Sequence, residues 1–191
     1  MTQVVIFSEI MIYKYKDYNP IFGKDVFVAP SADIIGNVSI GTNCSIWFNV
    51  TIRGDVHYIK IGNETNIQDN SILHVTNGKF PLNIGSRVTI AHGVKLHGCT
   101  IHDQTLVGIG AIVLDNVKVG EKSIIAAGSL LREGLIFPGS SLIAGSPARV
   151  IRPLRKEEIE KNLQYSRNYI DYKNSYLNKY NFQTIKEIER E

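Results

Sequence analysis

Between Val28 and Ile143 a large apolar residue returns at every sixth position: Val28, Ile34, Ile40, Ile46 and Ile52, then Ile61, Ile67 and Leu73, then Ile84, Ile90 and Leu96. After a step of five the series resumes at Ile101 and runs through Val107, Val113, Val119, Ile125, Leu131 and Phe137 to Ile143. Four residues after most of these stands a small or slim side chain, such as Ala32, Cys44, Thr65, Ser71, Ala111 or Ser123. Glycine often follows the apolar residue directly, as at Gly41, Gly62, Gly85, Gly108 and Gly120. A period of six matches neither the 3.6 residues of a helical turn nor a two-residue alternation broken by hairpins. It matches a solenoid with three short, flat strands per coil. The large residue points inward, the slim one fits the corner, and glycine allows unusual backbone angles.

Hexapeptide repeats of this type resemble the left-handed parallel β-helix family, and the handedness follows from that resemblance. The expected fold is therefore an all-β solenoid in a single domain: an N-terminal cap over 1–27, a left-handed β-helix over 28–147 and a C-terminal α-helix over 155–180. Ile159, Leu163, Ser166, Ile170 and Leu177 form the stripe that packs on the solenoid, because the last coil needs a cover. Residues beyond Asn181 are expected to fray. The rhythm is interrupted by Gly54 to Lys60, by Thr76 to Asn83 and by the short step from Leu96 to Ile101. Interruptions in a regular solenoid cluster where binding happens.

Composition narrows the class. With 191 residues, 43% hydrophobic and 20% charged, the chain has the make-up of an ordinary folded protein rather than a disordered or collagen-like one. Its net charge of +3 comes from no compact basic block, so nucleic acid is not an expected partner. Apolar runs such as Val4 to Phe7 and Ile124 to Ala127 fall well short of the roughly 20 residues needed to span a bilayer. No charged segment, apolar stretch and small-residue cleavage site follow one another near the start, which sets a cytoplasmic expectation. Cys44 and Cys99 belong to no CxxC pair and read as small core residues.

The candidate chemistry lies in three of the five histidines. Leu73 and Leu96 are separated by one eighteen-residue coil plus the insertion of about five residues around Thr76 to Pro81, so they stack on adjacent coils. His74 and His97, each following one of these leucines, then stand side by side. Adjacent strands lie about 4.7 to 4.9 Å apart, close enough for two imidazoles to share one ion. His92, two residues past Ile90, falls on the preceding face, around a corner of the prism. Two chains packed side by side in a three-fold ring can bring both faces together, which predicts a homotrimer with metal at each interface. Three histidines with an open fourth position are the ligand set of catalytic zinc, and such sites also accept iron or cobalt. The alternative is a histidine ladder without metal. His57 and His102 lack such partners and read as surface residues.

Arg53-Gly54-Asp55, Ile61-Gly62-Asn63-Glu64-Thr65-Asn66-Ile67-Gln68-Asp69, His74, Ile90-Ala91-His92-Gly93, Leu96-His97-Gly98-Cys99 and Ala144-Gly145-Ser146-Pro147-Ala148 together resemble the γ-class carbonic anhydrases over residues 10 to 180. The resemblance implies reversible hydration of CO2 to bicarbonate, with His74 and His97 of one subunit and His92 of its neighbour on zinc. Gln68 would orient the metal's water. Arg53 and Asp55 would form ion pairs across the trimer interface, joined by Asp69. Tyr169 resembles a tyrosine lying near the metal in relatives that lack a proton-transfer glutamate. Here neither Val56-His57-Tyr58-Ile59-Lys60 nor Val75-Thr76-Asn77-Gly78-Lys79 carries the carboxylates that the best-studied members use for proton transfer. That loss slows turnover more than it abolishes the chemistry. Two other readings share the fold: acyl transfer or CoA-thioester hydrolysis, and a catalytically silent trimeric assembly subunit.

Overall fold

A computed structural model describes residues 11–180; the first part of the expected 1–27 cap and the fraying expected beyond Asn181 lie outside the described residues. Within that range the six-residue rhythm builds a left-handed parallel β-helix. One face is an eight-stranded sheet on which Val28, Ile46, Ile67, Ile90, Val107, Ile125 and Ile143 stack in register. The other two faces merge into a 12-stranded sheet, because the strands Asp33–Ile40 and Thr51–Ile61 run around the corner between them. Met11–Tyr13 and Ile21–Phe22 both pair in parallel with Asp33–Ile40, and backbone bonds between Tyr15 and Tyr18 close the turn between them. Among the described residues the cap thus contributes these two short strands to the stack. At the other end Ser141–Gly145 and Ala148–Pro153 form an antiparallel pair that ends the stack.

Every large residue of the series is at most 6% exposed, and the slim corner residues are buried with them. Apolar area removed from water supplies the driving force, at about 25 cal/mol per Å². The glycines serve a different purpose from the one expected. Gly41, Gly62, Gly85, Gly108 and Gly120 have ordinary φ; the left-handed position is two residues later, at Asn43, Glu64, Arg87, Gly110 and Lys122. Glycine is required by close stacking: a Cβ on Gly62 would stand 2.6 Å from the backbone carbonyl carbon of Gly85 in the next coil.

Two interruptions are local excursions. In the strand Thr51–Ile61 the residues between Gly54 and Ile59 bulge opposite Asn37, after which the register resumes with Val38 beside Ile59. The second leaves after Val75 and closes on backbone bonds between Thr76 and Phe80.

The helix spans Lys156–Tyr180. Its start is fixed by Glu158, which accepts the Arg155 backbone N–H and a two-pronged contact from Arg152, both prongs at 2.8 Å. Those partners, Arg152 first, hold the Glu158 carboxyl down at about 2. The seam against the solenoid contains Ser166 as expected but is otherwise more polar than the expected stripe. Its most buried residues are Asn162, Ser166 and Lys173, whereas Ile159, Leu163, Ile170 and Leu177 are only half-buried. The solenoid corners present backbone carbonyls, which need donors. Asn162 Nδ2 donates to the Ser123 carbonyl at 3.1 Å and Ser166 Oγ to the Glu64 carbonyl at 2.6 Å. Apolar anchoring comes from aromatics: Trp47 meets Tyr169 and Tyr176 edge-on, with ring centroids 5.5 and 5.1 Å apart.

Replacing Gly62 by alanine forces adjacent coils apart, since the obstruction is backbone and cannot swing aside. Denaturant unfolding of Gly62→Ala should show a loss of about 1–3 kcal/mol. An unchanged midpoint would contradict the stacking explanation.

Candidate metal centre

The strands Ile72–His74 and Lys95–His97 are parallel neighbours with His74 directly opposite His97, as the insertion arithmetic requires. His74 Nδ1 and His97 Nε2 are 3.0 Å apart. Each ring's other nitrogen contacts a carboxylate: His74 Nε2 lies 3.1 Å from Asp55 Oδ1, and His97 Nδ1 lies 2.6 Å from Asp115 Oδ1. An ionised carboxylate only accepts, so in the neutral rings these outer nitrogens carry the hydrogens. The two facing nitrogens are then both lone pairs, and two acceptors at 3.0 Å repel unless a cation or an extra proton lies between them. A proton is disfavoured at His74. Burial pushes its pKa down and the Arg53 charge and His97 add to that, outweighing the opposing hydrogen bond and charge of Asp55. Donors on a tetrahedral ion with bonds of about 2.0–2.1 Å stand about 3.3 Å apart, so this pair fits one edge of such a site.

Asp55 is held from both sides, by His74 and by the Arg53 guanidinium on the same strand. Burial raises its pKa, but these two hydrogen bonds and the Arg53 charge outweigh it, and the carboxyl sits below its usual range. Asp55 therefore remains an acceptor at neutral pH.

His92 follows the strand Thr89–Ile90 on the eight-stranded face, away from the His74–His97 edge. It repeats the same arrangement, with Nδ1 3.0 Å from Asp69 Oδ2, which leaves Nε2 as the outward nitrogen. It lines a groove of about 400 Å³ together with Gln68, Ile109, Ala127, Tyr165 and Tyr169. Gln68 is 5% exposed and fixed in orientation. Asn66 Nδ2 donates to Thr89 Oγ1, Asn66 Oδ1 accepts from Gln68 Nε2 at 3.0 Å, and the Gln68 Oε1 atom remains for the groove. Burial pushes the Tyr169 phenol up to about 12, with the Asp69 charge adding to it.

The sequence-derived residues thus fall on two edges of one chain: Arg53, Asp55, His74 and His97 on the first, Gln68, Asp69, His92 and Tyr169 on the second. Within one chain, no three His, Cys, Asp or Glu side chains among the described residues converge into a metal-sized group. Arg53 pairs with Asp55, and Asp69 with His92, inside the subunit. Two residues escaped the sequence reading, Asp115 and Thr76, whose Oγ1 donates to Asp115 Oδ2 at 2.7 Å. The signal was indirect, since Leu96 pairs with Val113 and Asp115 therefore falls opposite Gly98, the residue after His97. His57 is half-buried rather than a plain surface residue: its Nδ1 accepts the Tyr58 backbone N–H at 2.8 Å, and it shares a cavity of about 480 Å³ with Asp55. His102 is exposed, and Cys44 and Cys99 are buried as expected.

Comparison with known proteins agrees with this fold. The family model of the bacterial transferase hexapeptide (six repeats) matches residues 19–54 and 98–133. A hexapeptide transferase family protein from Anaplasma phagocytophilum, a solved structure, superposes with a TM-score of 0.83 at 41% identity, covering 87% of this chain and 98% of that one. The chain is therefore a hexapeptide-repeat β-helix protein. It is 42% identical over 161 residues to the carbonic anhydrase of Geobacillus kaustophilus, covering 84% of this chain and 88% of that protein. It is also 45% identical over 160 residues to the mitochondrial gamma carbonic anhydrase 2 of Arabidopsis thaliana, covering 81% of this chain but spanning only 58% of that relative's length. Within the hexapeptide-repeat class, the chain belongs to the γ-class carbonic anhydrase family. Among the described residues no helix is long and apolar enough to cross a membrane.

The buried phenol gives a direct check on the second edge. Ultraviolet difference titration of wild type against Tyr169→Phe should place the missing step near pH 12. A step near the ordinary tyrosine value of about 10 would mean that the phenol is not buried as the structure has it.

Proposed function

We propose that the chain works as a homotrimer in which His74 and His97 of one subunit and His92 of the next hold a metal ion, zinc first, with iron or cobalt as alternatives, for the reversible hydration of CO2 to bicarbonate. The observation that carries this is the pair of lone pairs at 3.0 Å on His74 and His97, each ring having its outer hydrogen engaged by a carboxylate. His92 carries the same kind of carboxylate contact on a different edge, so the set is incomplete until a second copy supplies it. Uncovered apolar side chains stand on both edges. Ile72 is 46% and Leu114 37% exposed near His74 and His97, and Ile109 is 58% exposed beside His92. Bringing the two edges together removes that surface from water. The named carbonic anhydrases among the relatives support CO2 as substrate.

When bound, zinc supplies a water acidified to a pKa near 7, and hence a nucleophile at neutral pH. Asp55, Asp115 and Asp69 each engage one ring nitrogen and so orient the three imidazoles with the other nitrogen presented as a ligand. Gln68, locked through Asn66, offers Oε1 to a hydrogen of the attacking water and so aims the oxygen lone pair at carbon. Ile109 and Ala127 give the groove an apolar wall suited to CO2. In the reaction the CO2 carbon would gain the oxygen of a water, whose released proton would pass to solvent, to give bicarbonate. Tyr169 stays protonated throughout the neutral range and can donate but not accept that proton.

Stopped-flow CO2 hydration on protein reconstituted with zinc, and with iron under anaerobic conditions, should give a rate above buffer. His92→Ala and His97→Ala should each abolish it. Mixing the two variants should restore metal and activity at about one quarter of interfaces, the fraction in which an intact His92 meets an intact His74–His97 pair. No recovery in mixed trimers would rule out a shared centre. Metal-independent turnover of acetyl-CoA would favour acyl transfer, and an inactive, metal-loaded trimer copurifying with a defined partner would favour an assembly role.

A further inference from the structure

We propose that Asp115, seated by Thr76, is a positioning residue for His97: it holds that imidazole in the tautomer whose Nε2 lone pair faces His74, and so keeps the metal site open. The proposal rests on the metal reading above. Both oxygens of the carboxylate are engaged, Oδ1 with His97 Nδ1 at 2.6 Å and Oδ2 with Thr76 Oγ1 at 2.7 Å, so it cannot rotate away from the ring. The backbone on either side is pinned to adjacent coils. The Gly134 N–H donates to the Asp115 carbonyl at 2.9 Å, and the Asn116 N–H donates to the Gly98 carbonyl at 2.8 Å. Thr76 opens the insertion that closes on Phe80, which fixes where its hydroxyl stands.

A second, independent feature points to the same contact. Residue 98 is a glycine in the left-handed region, with φ of +51°, and a Cβ there would run into Asp115 Oδ1 and lie 2.8 Å from the Phe80 Cβ. Only an absent side chain leaves room for the carboxylate beneath His97.

The chemical consequence follows from the two tautomers of a neutral imidazole. With the hydrogen on Nδ1, His97 presents a lone pair to the metal. With the hydrogen on Nε2, the ring instead donates to His74 Nδ1 across the 3.0 Å gap, and the two ligands satisfy each other. Asp115 excludes the second state by accepting at Nδ1. Removing it lets the pair close on itself, and metal then has to displace a hydrogen bond as well as a proton. A carboxylate that only braced the fold would have no such effect on the tautomer.

The test uses the full chain with Asp115→Ala, Thr76→Val and Thr76→Ser. Zinc affinity is measured by competition with a chromophoric chelator, cobalt loading by its visible spectrum, and the His97 tautomer in metal-free protein by nitrogen-15 NMR. Asp115→Ala should bind zinc about 10–100-fold more weakly. Its His97 hydrogen should move from Nδ1 to Nε2, while the melting temperature of the metal-free protein does not fall. Thr76→Val should weaken binding in the same direction and Thr76→Ser should restore it. Wild-type zinc affinity in Asp115→Ala, or an unchanged tautomer, would overturn the assignment. So would a matching loss of affinity and metal-free stability without rescue by Thr76→Ser. A wild-type chain that binds no zinc overturns the metal reading instead, and the metal-free tautomer still decides the role of Asp115.

Discussion

Parallel coils stacked in a fixed register are the constraint on which every other feature depends. Adjacent strands lie about 4.7–4.9 Å apart, and residues one coil apart lie directly over one another. A side chain placed on one coil therefore has a predetermined neighbour on the next. His74 meets His97 for that reason, whereas Asp115 falls opposite Gly98 on the next coil and reaches the His97 ring with its side chain. The same constraint sets the cost of error. A shift of one residue would turn the buried ladder outward and separate the histidines in a single step. Glycines such as Gly62 allow the coils to approach closely, and the buried ladder makes that approach favourable.

Against that regular background the irregular parts carry the chemistry. The bulge within Thr51–Ile61 begins at Asp55, and the Thr76–Phe80 insertion supplies the hydroxyl that seats Asp115. Each departs from the rhythm and rejoins it without disturbing the interior. The rigid coil is thereby combined with side chains that strict repetition could not deliver. Three carboxylates, Asp55, Asp69 and Asp115, each meet one histidine. Their repetition around separate imidazoles is what a set of metal ligands needs and what a structural ladder does not. The helix, anchored by Asn162, Ser166 and the aromatics around Trp47, brings Tyr169 to the groove that contains His92 and Gln68.

Much of this was legible in the sequence because the solenoid's period is additive. The ladder from Val28 to Ile143 and the facing of His74 and His97 both follow from counting in sixes and allowing for one insertion. What escaped has physical causes. The glycine that follows several of the large residues suggests backbone freedom in the sequence, whereas stacking distance demands it, and a one-dimensional pattern carries no distance between coils. The helix stripe expected from periodicity includes Ser166 but otherwise consists of apolar residues, because helices on cores usually pack that way. This one crosses corners lined with carbonyl oxygens, and Asn162 and Ser166 answer them. Asp115 went unnoticed because its significance lies in His97 one coil earlier, and a search for histidine ligands does not weigh an aspartate among surface residues.

The central claim is that a metal ion is shared between two copies of this chain. Anomalous diffraction at the zinc absorption edge, from crystals of zinc-loaded protein, tests it directly. One peak per subunit should appear within about 2.1 Å of His74 Nδ1, His97 Nε2 and the His92 Nε2 of a second copy. A crystal of the loaded protein with no peak at that position, or with the ion held by one chain alone, would contradict it.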